Sequence, residues 1–406
     1  MARLSVVQPR LGSALLWLLL AAAVGLMLLT LVLQTGCRYL LRMESQIAAE
    51  AAALAAAQAL WDDCRLLNHP AAIHHLVRQA RTDAVGFAPR NWVGARPFRL
   101  VANDSNHWAG NVVVGTLAWP DRVFQVAKGA DDPTEPRNLS INAVRVQVWD
   151  GKGPLTGGSL ASLAAAATAY LDQDVIGFRP LGRAAAPIMP MALCSDATGR
   201  SPESWEHQVE QRHGPDRVRF RRHARGWVAE PGPDGLHEMT VRLALAAVED
   251  RLTEPPNACW LWFERTDLAN LGRQIRHGVT AADLAAYNSE LVLPDEGSVR
   301  VACAWVGPAY DSEELSYLRE CLFDLARDGT GRVWPLCRQE PSLSETVTLV
   351  GFVAARIAAV ETTEDALVMT LQPCTLSSGC AVTDAARRQA GRIRPNPYVC
   401  RIRLVE

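Results

Sequence analysis

Apolar and polar positions divide this chain sharply near its start. Residues Leu11 to Leu33 are apolar almost throughout, and no charged side chain falls between Arg10 and Arg38. As a helix rising about 1.5 Å per residue, that run covers roughly 34 Å, enough to cross the hydrocarbon core of a bilayer. The pattern predicts a transmembrane helix over 11–36, preceded by a cytoplasmic arm over 1–10. From Tyr39 to Asp63 there is neither Gly nor Pro, and the alanine content supplies the highest intrinsic helix propensity available. The helix is expected to leave the membrane and continue as a stem over 37–69. Its small-residue face, Ala48, Ala49, Ala52, Ala53 and Ala56, suits close packing against a neighbouring helix or a second copy of the chain. The alternative is a plain small-residue face on a solvated stem.

Beyond Pro70 the period shortens. Residues 111–119, 122–128 and 142–149 alternate or cluster β-branched side chains between Pro, Gly, Asp and Asn, as strands do. The stretch 161–171 is alanine-rich and undecided between helix and strand. Residues 195–236 carry many charges with little apolar period and read as a charged linker or surface excursion. Strands are expected again over 238–248 and 257–264. Helices are expected over 266–277 and after Thr280, whose hydroxyl with Asp283 three positions on makes a variant capping box. A further helix over 311–328 places Leu315, Leu318, Leu322 and Leu325 on one face and ends at Gly329. Strands over 345–360, 365–372 and 398–405 follow. The whole predicts an α+β protein with mostly antiparallel strands: a β-rich domain over 70–194, the charged stretch, and a C-terminal α+β domain over 237–406.

A formal charge of −2 and a pI near 6.5 provide no global field for nucleic acid. Ten scattered cysteines contain no C-x-x-C pair, so a structural zinc site has no support, while disulfides remain open in an oxidising compartment. Cys374 and Cys380 flank a turn-like loop that could bring them into bridging range, or they are two buried thiols. Arg3 and Arg10 face Arg38 and Arg42 across the apolar run, so charge decides orientation poorly; the short arm favours N-in with the bulk of the chain extracytoplasmic. The rivals are a cleaved secretory signal and lipidation at Cys37, where Gln34 occupies a position that a lipoprotein box reserves for an apolar residue.

The order of segments resembles the TadG-like proteins of the tight-adherence (Flp) pilus assembly system. The matching residues are Gln46 to Ala57 in the stem, Gly115, Trp119, Asp121 and Phe124 within 112–124, and the Asn-Ala-Val-Arg-Val of Asn142 to Val146. Ala167 to Ala169, followed by Pro187 to Leu193, resembles the end of that domain. Asn270 to Val279 and the Leu-Val-Gly-Phe-Val of 349–353 resemble the extension of longer members. Glu50 stands where the family more often has Asp, and the middle match keeps order without spacing. No Gly in the apolar run is followed by the glutamate of a processed pilin: Gly12, Gly25 and Gly36 meet Trp17, Thr30 and Leu41. The resemblance implies a membrane-retained assembly factor rather than a processed subunit.

Catalytic signals are sparse. His69, His74, His75, His207 and His213 lack the spacing of a metal motif, and no nucleophile elbow, Walker loop or dinucleotide fingerprint is present. The adjacent pairs Asp131-Asp132 and Glu313-Glu314 read as solvated charges. Arg217, Arg219, Arg221, Arg222 and Arg225 form a basic run, either docking to an anionic surface or compensated locally. No catalytic, cofactor or metal residue is therefore assigned. The expected function is a membrane-anchored structural factor, partnered by other envelope assembly proteins or by its own stem. The alternatives are a membrane-tethered hydrolase whose site forms only in three dimensions, and an anchored sensor or adhesin.

Overall fold

The computed structural model describes residues 11–118, 121–127, 141–148, 165–223, 226–244, 256–263, 267–294, 297–305, 312–338, 345–363, 366–389 and 394–405. Helix α1, Leu11–Ala59, is a single uninterrupted element of 49 residues about 74 Å long that joins the apolar run to the stem. The stem expected over 37–69 stops ten residues early, where Asp62 turns the chain by accepting from the Cys64 amide at 3.0 Å. From Leu15 to Leu40 its side chains are exposed; from Ala48 onward one face is buried. After a short 3₁₀ turn, Asp63–Leu67, helix α2 runs over Pro70–Phe87. The sequence pattern predicts a β-rich domain from residue 70 and no helix there, so α2 is a correction. Its signals are local: His69 caps the first turn by accepting from the Ala71 amide at 3.2 Å, Pro70 occupies the first helical position, and Ile73, Leu76, Val77, Ala80 and Ala84 form one buried stripe.

Both helices cover a six-stranded sheet whose order is 376–377, 399–404, 165–172, 143–148, 112–118 and 123–126. Neighbours are antiparallel except for the first, parallel pair. The undecided stretch resolves as the strand Ala165–Asp172. Its alanines have a packing reason: Ala165, Ala167 and Ala169 lie in the same core as Ala48 to Ala57, so a small-residue strand meets a small-residue helix at close range. Gln46 seals the edge by donating to the Ala166 carbonyl at 3.1 Å.

A second sheet has seven strands in the order 239–244, 366–373, 346–362, 299–304, 258–261, 191–195 and 332–338. The last strand also pairs with 346–362, so five of the seven close on themselves as a small barrel. Within it only 191–195 and 332–338 run parallel. Trp260 and Trp334 are fully buried in its core. Helices α3, Leu268–His277, and α4, Ser312–Asp328, pack together, and α4 also lies against strand 346–362 with Leu318, Leu322 and Leu325 inward.

Three further expectations change. Thr280 and Asp283 do make their reciprocal cap, the Thr280 amide donating to Asp283 Oδ2 at 2.7 Å, yet only a 3₁₀ turn over Ala285–Tyr287 follows, stopped by Asn288 in the left-handed region. The charged stretch 195–236 is no free spacer, since Trp205 is fully buried and joins the distal core. It also forms a two-stranded sheet, Val218–His223 with Gly226–Pro231. Finally, the C-terminal strand Val399–Leu404 belongs to the first sheet, antiparallel to 165–172, so residues 237–406 are not a separate unit in space.

Candidate functional site

The five alanines singled out in the stem, Ala48, Ala49, Ala52, Ala53 and Ala56, are at most 1% exposed. They face α2 and the strands 143–148 and 165–172. The face proposed for a second copy is thus filled by the chain's own sheet, because alanine on both sides permits an intramolecular fit. What the described helix leaves uncovered is its other half, the apolar residues before Arg38, with Leu16 at 69% and Met27 at 75% exposed.

The point where α1 ends is tied to the second sheet by a buried ion pair. Arg356, on the long strand 346–362, donates through Nη1 to Asp63 Oδ2, while Asp63 Oδ1 accepts from the Thr375 amide at 2.7 Å and its hydroxyl at 3.0 Å. The guanidinium lies 4.2 Å from the Trp227 ring centroid and 5.5 Å from that of Phe220. Both rings come from the charged stretch, which stacks on this cation. Burial opposes the charge on Arg356, but the facing Asp63 carboxylate outweighs it and raises the guanidinium's pKa, while burial pushes the Asp63 carboxyl itself upward against the pull of Arg356.

An open cleft of about 1000 Å³ lies beside this junction, between the first sheet at Thr116 to Ala118 and the distal side at Val209, Leu236 and Tyr398. Arg65, Arg212 and Arg394 line it with Glu210 and His237. Arg65 sits 5.7 Å from the Trp61 ring centroid, and Arg212 donates to the Leu67 carbonyl at 3.3 Å. Burial and then the neighbouring Glu206 charge push the Glu210 carboxyl up. The Tyr398 hydroxyl donates to it at 3.4 Å and accepts from Trp205 Nε1 at 3.2 Å. His237 is committed through Nδ1 to the Gly214 carbonyl at 2.7 Å. The arrangement suits retention of an anion more than proton transfer, since three arginines line the cleft with one carboxyl group that burial drives toward neutrality, although burial also lowers the Arg65 pKa.

A thiol cluster escaped the sequence reading because its members are far apart in the chain. Cys303, Cys259, Cys194 and Cys337 come from four successive strands of the barrel, with Cys194 and Cys337 directly opposite in register. All are buried, and Cys194 and Cys259 are pushed upward first by hydrogen bonding to other thiols of the set and then by burial. These are unreactive small side chains filling a narrow interior. Cys374 and Cys380 are likewise buried and form no disulfide. Among the described residues no group of three or more His, Cys, Asp or Glu could hold a metal. His207 and His213 instead stack at 4.2 Å, with His207 Nδ1 2.9 Å from the Gly199 carbonyl.

The basic run is compensated locally: Arg219 and Arg221 each reach Glu230 on the paired strand at 3.2 Å. Arg225 and the Asp131-Asp132 pair lie outside the described residues, whereas Glu313 and Glu314 occupy the first turn of α4, where the helix dipole favours negative charge. Comparison with family models, curated proteins and solved structures finds no match to this chain.

Proposed function

We propose that this chain is a membrane-anchored structural or assembly factor of a Flp-type pilus or a related envelope machine, with its strand-rich region on the extracytoplasmic side. The observation that supports this most is the division of labour along α1. Its distal part completes the core of a folded domain, while its proximal apolar part touches no other described element. That bare part must be covered by lipid or by other apolar helices, and the domain it carries is folded in either case. Such a chain is held in a bilayer and remains free to engage neighbouring membrane helices.

The segments that resemble TadG-like proteins support the reading by falling on structural parts. Gln46 to Ala57 forms the packed stretch of α1, and Asn142 to Val146 enters the central strand 143–148. Deleting the gene in its own host should abolish filaments recovered by shearing, and restoring the full chain should return them. Unchanged filaments in the deletion would remove the reading.

The cleft favours a second reading, an anchored sensor, because three arginines line an open volume of ligand size. Normal filaments together with a ligand-dependent response abolished by Arg65→Gln would move the assignment there.

A further inference from the structure

Helix α2 returns alongside the packed part of α1. Its 18 residues run about 27 Å, as far as α1 rises between residue 42 and its end at Ala59. The chain that follows α2 is therefore delivered back to the point where α1 emerges from its apolar run. There it forms a two-stranded hairpin in which Trp92 pairs with Pro97 and Val93 with Arg96. Two contacts fix its level. The Gly94 amide donates to Glu44 Oε2 at 2.8 Å, and Gly94, with φ +53°, lies so close to Leu41 that a Cβ would come within 2.5 Å of its Cδ2. The hairpin thus sits one or two turns beyond Arg38.

This rim has an unusual composition. Trp92 is 62% exposed and Tyr39 64% exposed, and Arg38, Arg42, Arg90, Arg96 and Arg99 are all exposed around them. Glu44, the carboxylate among them, is engaged by the Gly94 amide. The Arg90 guanidinium lies 5.1 Å from the Phe87 ring centroid, which holds it beside the hairpin at the end of α2. Indole and phenol rings with one apolar side and one polar tip partition to the headgroup layer, and basic side chains beside a membrane gain from anionic lipid.

We propose that this rim docks on the leaflet through which α1 emerges, with Trp92 at headgroup level and Arg90 and Arg99 on the phosphates of anionic phospholipid. The proposal rests on α1 being a membrane span. Docking would fix the tilt of the folded region on its anchor, so that the cleft and the distal barrel are presented in one orientation.

The test uses the full chain in vesicles of phosphatidylcholine alone or of an equimolar mixture with phosphatidylglycerol. A photocrosslinking benzoylphenylalanine replaces Trp92 in one variant and Val228 in another; Val228 is 46% exposed, and its neighbour Trp227 stacks on the Arg356 that pairs with Asp63 just past the far end of α1. Lipid adducts are read by mass. Retention in the membrane after alkaline carbonate shows that the span holds, and release would fail the anchor reading itself. With the chain retained, the 92 variant should label phosphatidylglycerol strongly and the 228 variant should not. Arg90→Gln with Arg99→Gln should lower that labelling by about fivefold for each charge removed. Equal labelling from 92 and 228, equal labelling without anionic lipid, or no effect of the arginine changes would each overturn the proposal.

Discussion

Arg356 is 5% exposed, and its charge is matched by Asp63 from the other end of the sequence. Removing one partner of such a pair leaves a buried uncompensated charge, so Arg356→Met should cost about 3–5 kcal/mol in urea unfolding of the detergent-solubilised chain. Adding Asp63→Asn to that variant should recover part of the loss, because the orphaned carboxylate is then removed. Asp283 makes a different case. Burial raises its pKa, but hydrogen bonds from the Thr280 amide and hydroxyl and from Arg273 outweigh this and hold the carboxyl below its ordinary range. A depressed carboxyl stabilises the fold above its unfolded pKa, and that contribution is lost as the pH falls through the folded value. Asp283→Asn should therefore lower the melting temperature at neutral pH and leave it nearly unchanged at strongly acid pH, where the wild-type carboxyl is protonated too.

At the scale of elements, the alanine face of α1 decides between two consequences of the same substitutions. On a free face, Ala52→Leu with Ala56→Leu would block association between copies, but both side chains are wholly buried in the core shared with the sheet. Extra methylenes in a packed core cost about 1–3 kcal/mol at each site, so the double variant should lose its cooperative melt and become sensitive to protease in the six-stranded sheet. Retained stability would mean that the helix and sheet do not pack as described. The same interface explains what could be read in advance. Long periodic elements such as α1 and α4 were legible, since an apolar stripe or an unbroken alanine run has one strong local meaning. The strand 165–172 was not, because its alanines answer to the helix above them rather than to strand propensity. Helix α2 was overlooked although His69, Pro70 and its stripe carried the signal. The cleft, the Asp63–Arg356 pair and the four-thiol barrel interior join residues separated by up to hundreds of positions, for which one sequence contains no local sign.

At the scale of the whole molecule, the return of strand 399–404 to the first sheet makes that sheet and the distal barrel interdependent, since the chain cannot complete the first without traversing the second. The ten cysteines report both this folded state and its placement. Cys37 is exposed on α1 just beyond the apolar run, Cys64 is half-buried with burial pushing its pKa up to about 12, and the other eight are buried. Thiolate is the reactive form, and Cys37 lies at the lipid boundary below the docked rim, so the native chain in its membrane should present no fast thiol. On the proposed topology, a membrane-impermeant maleimide added to intact cells should modify a cysteine introduced at the exposed Val228 and leave the native cysteines unmodified, and all of them should react once the protein is denatured. Labelling of the introduced cysteine only after the cells are permeabilised would reverse the topology. Fast labelling at several positions would show that the barrel is not closed. An intact mass carrying an acyl group would assign Cys37 to lipidation, and the anchor would then be the lipid as well as the helix.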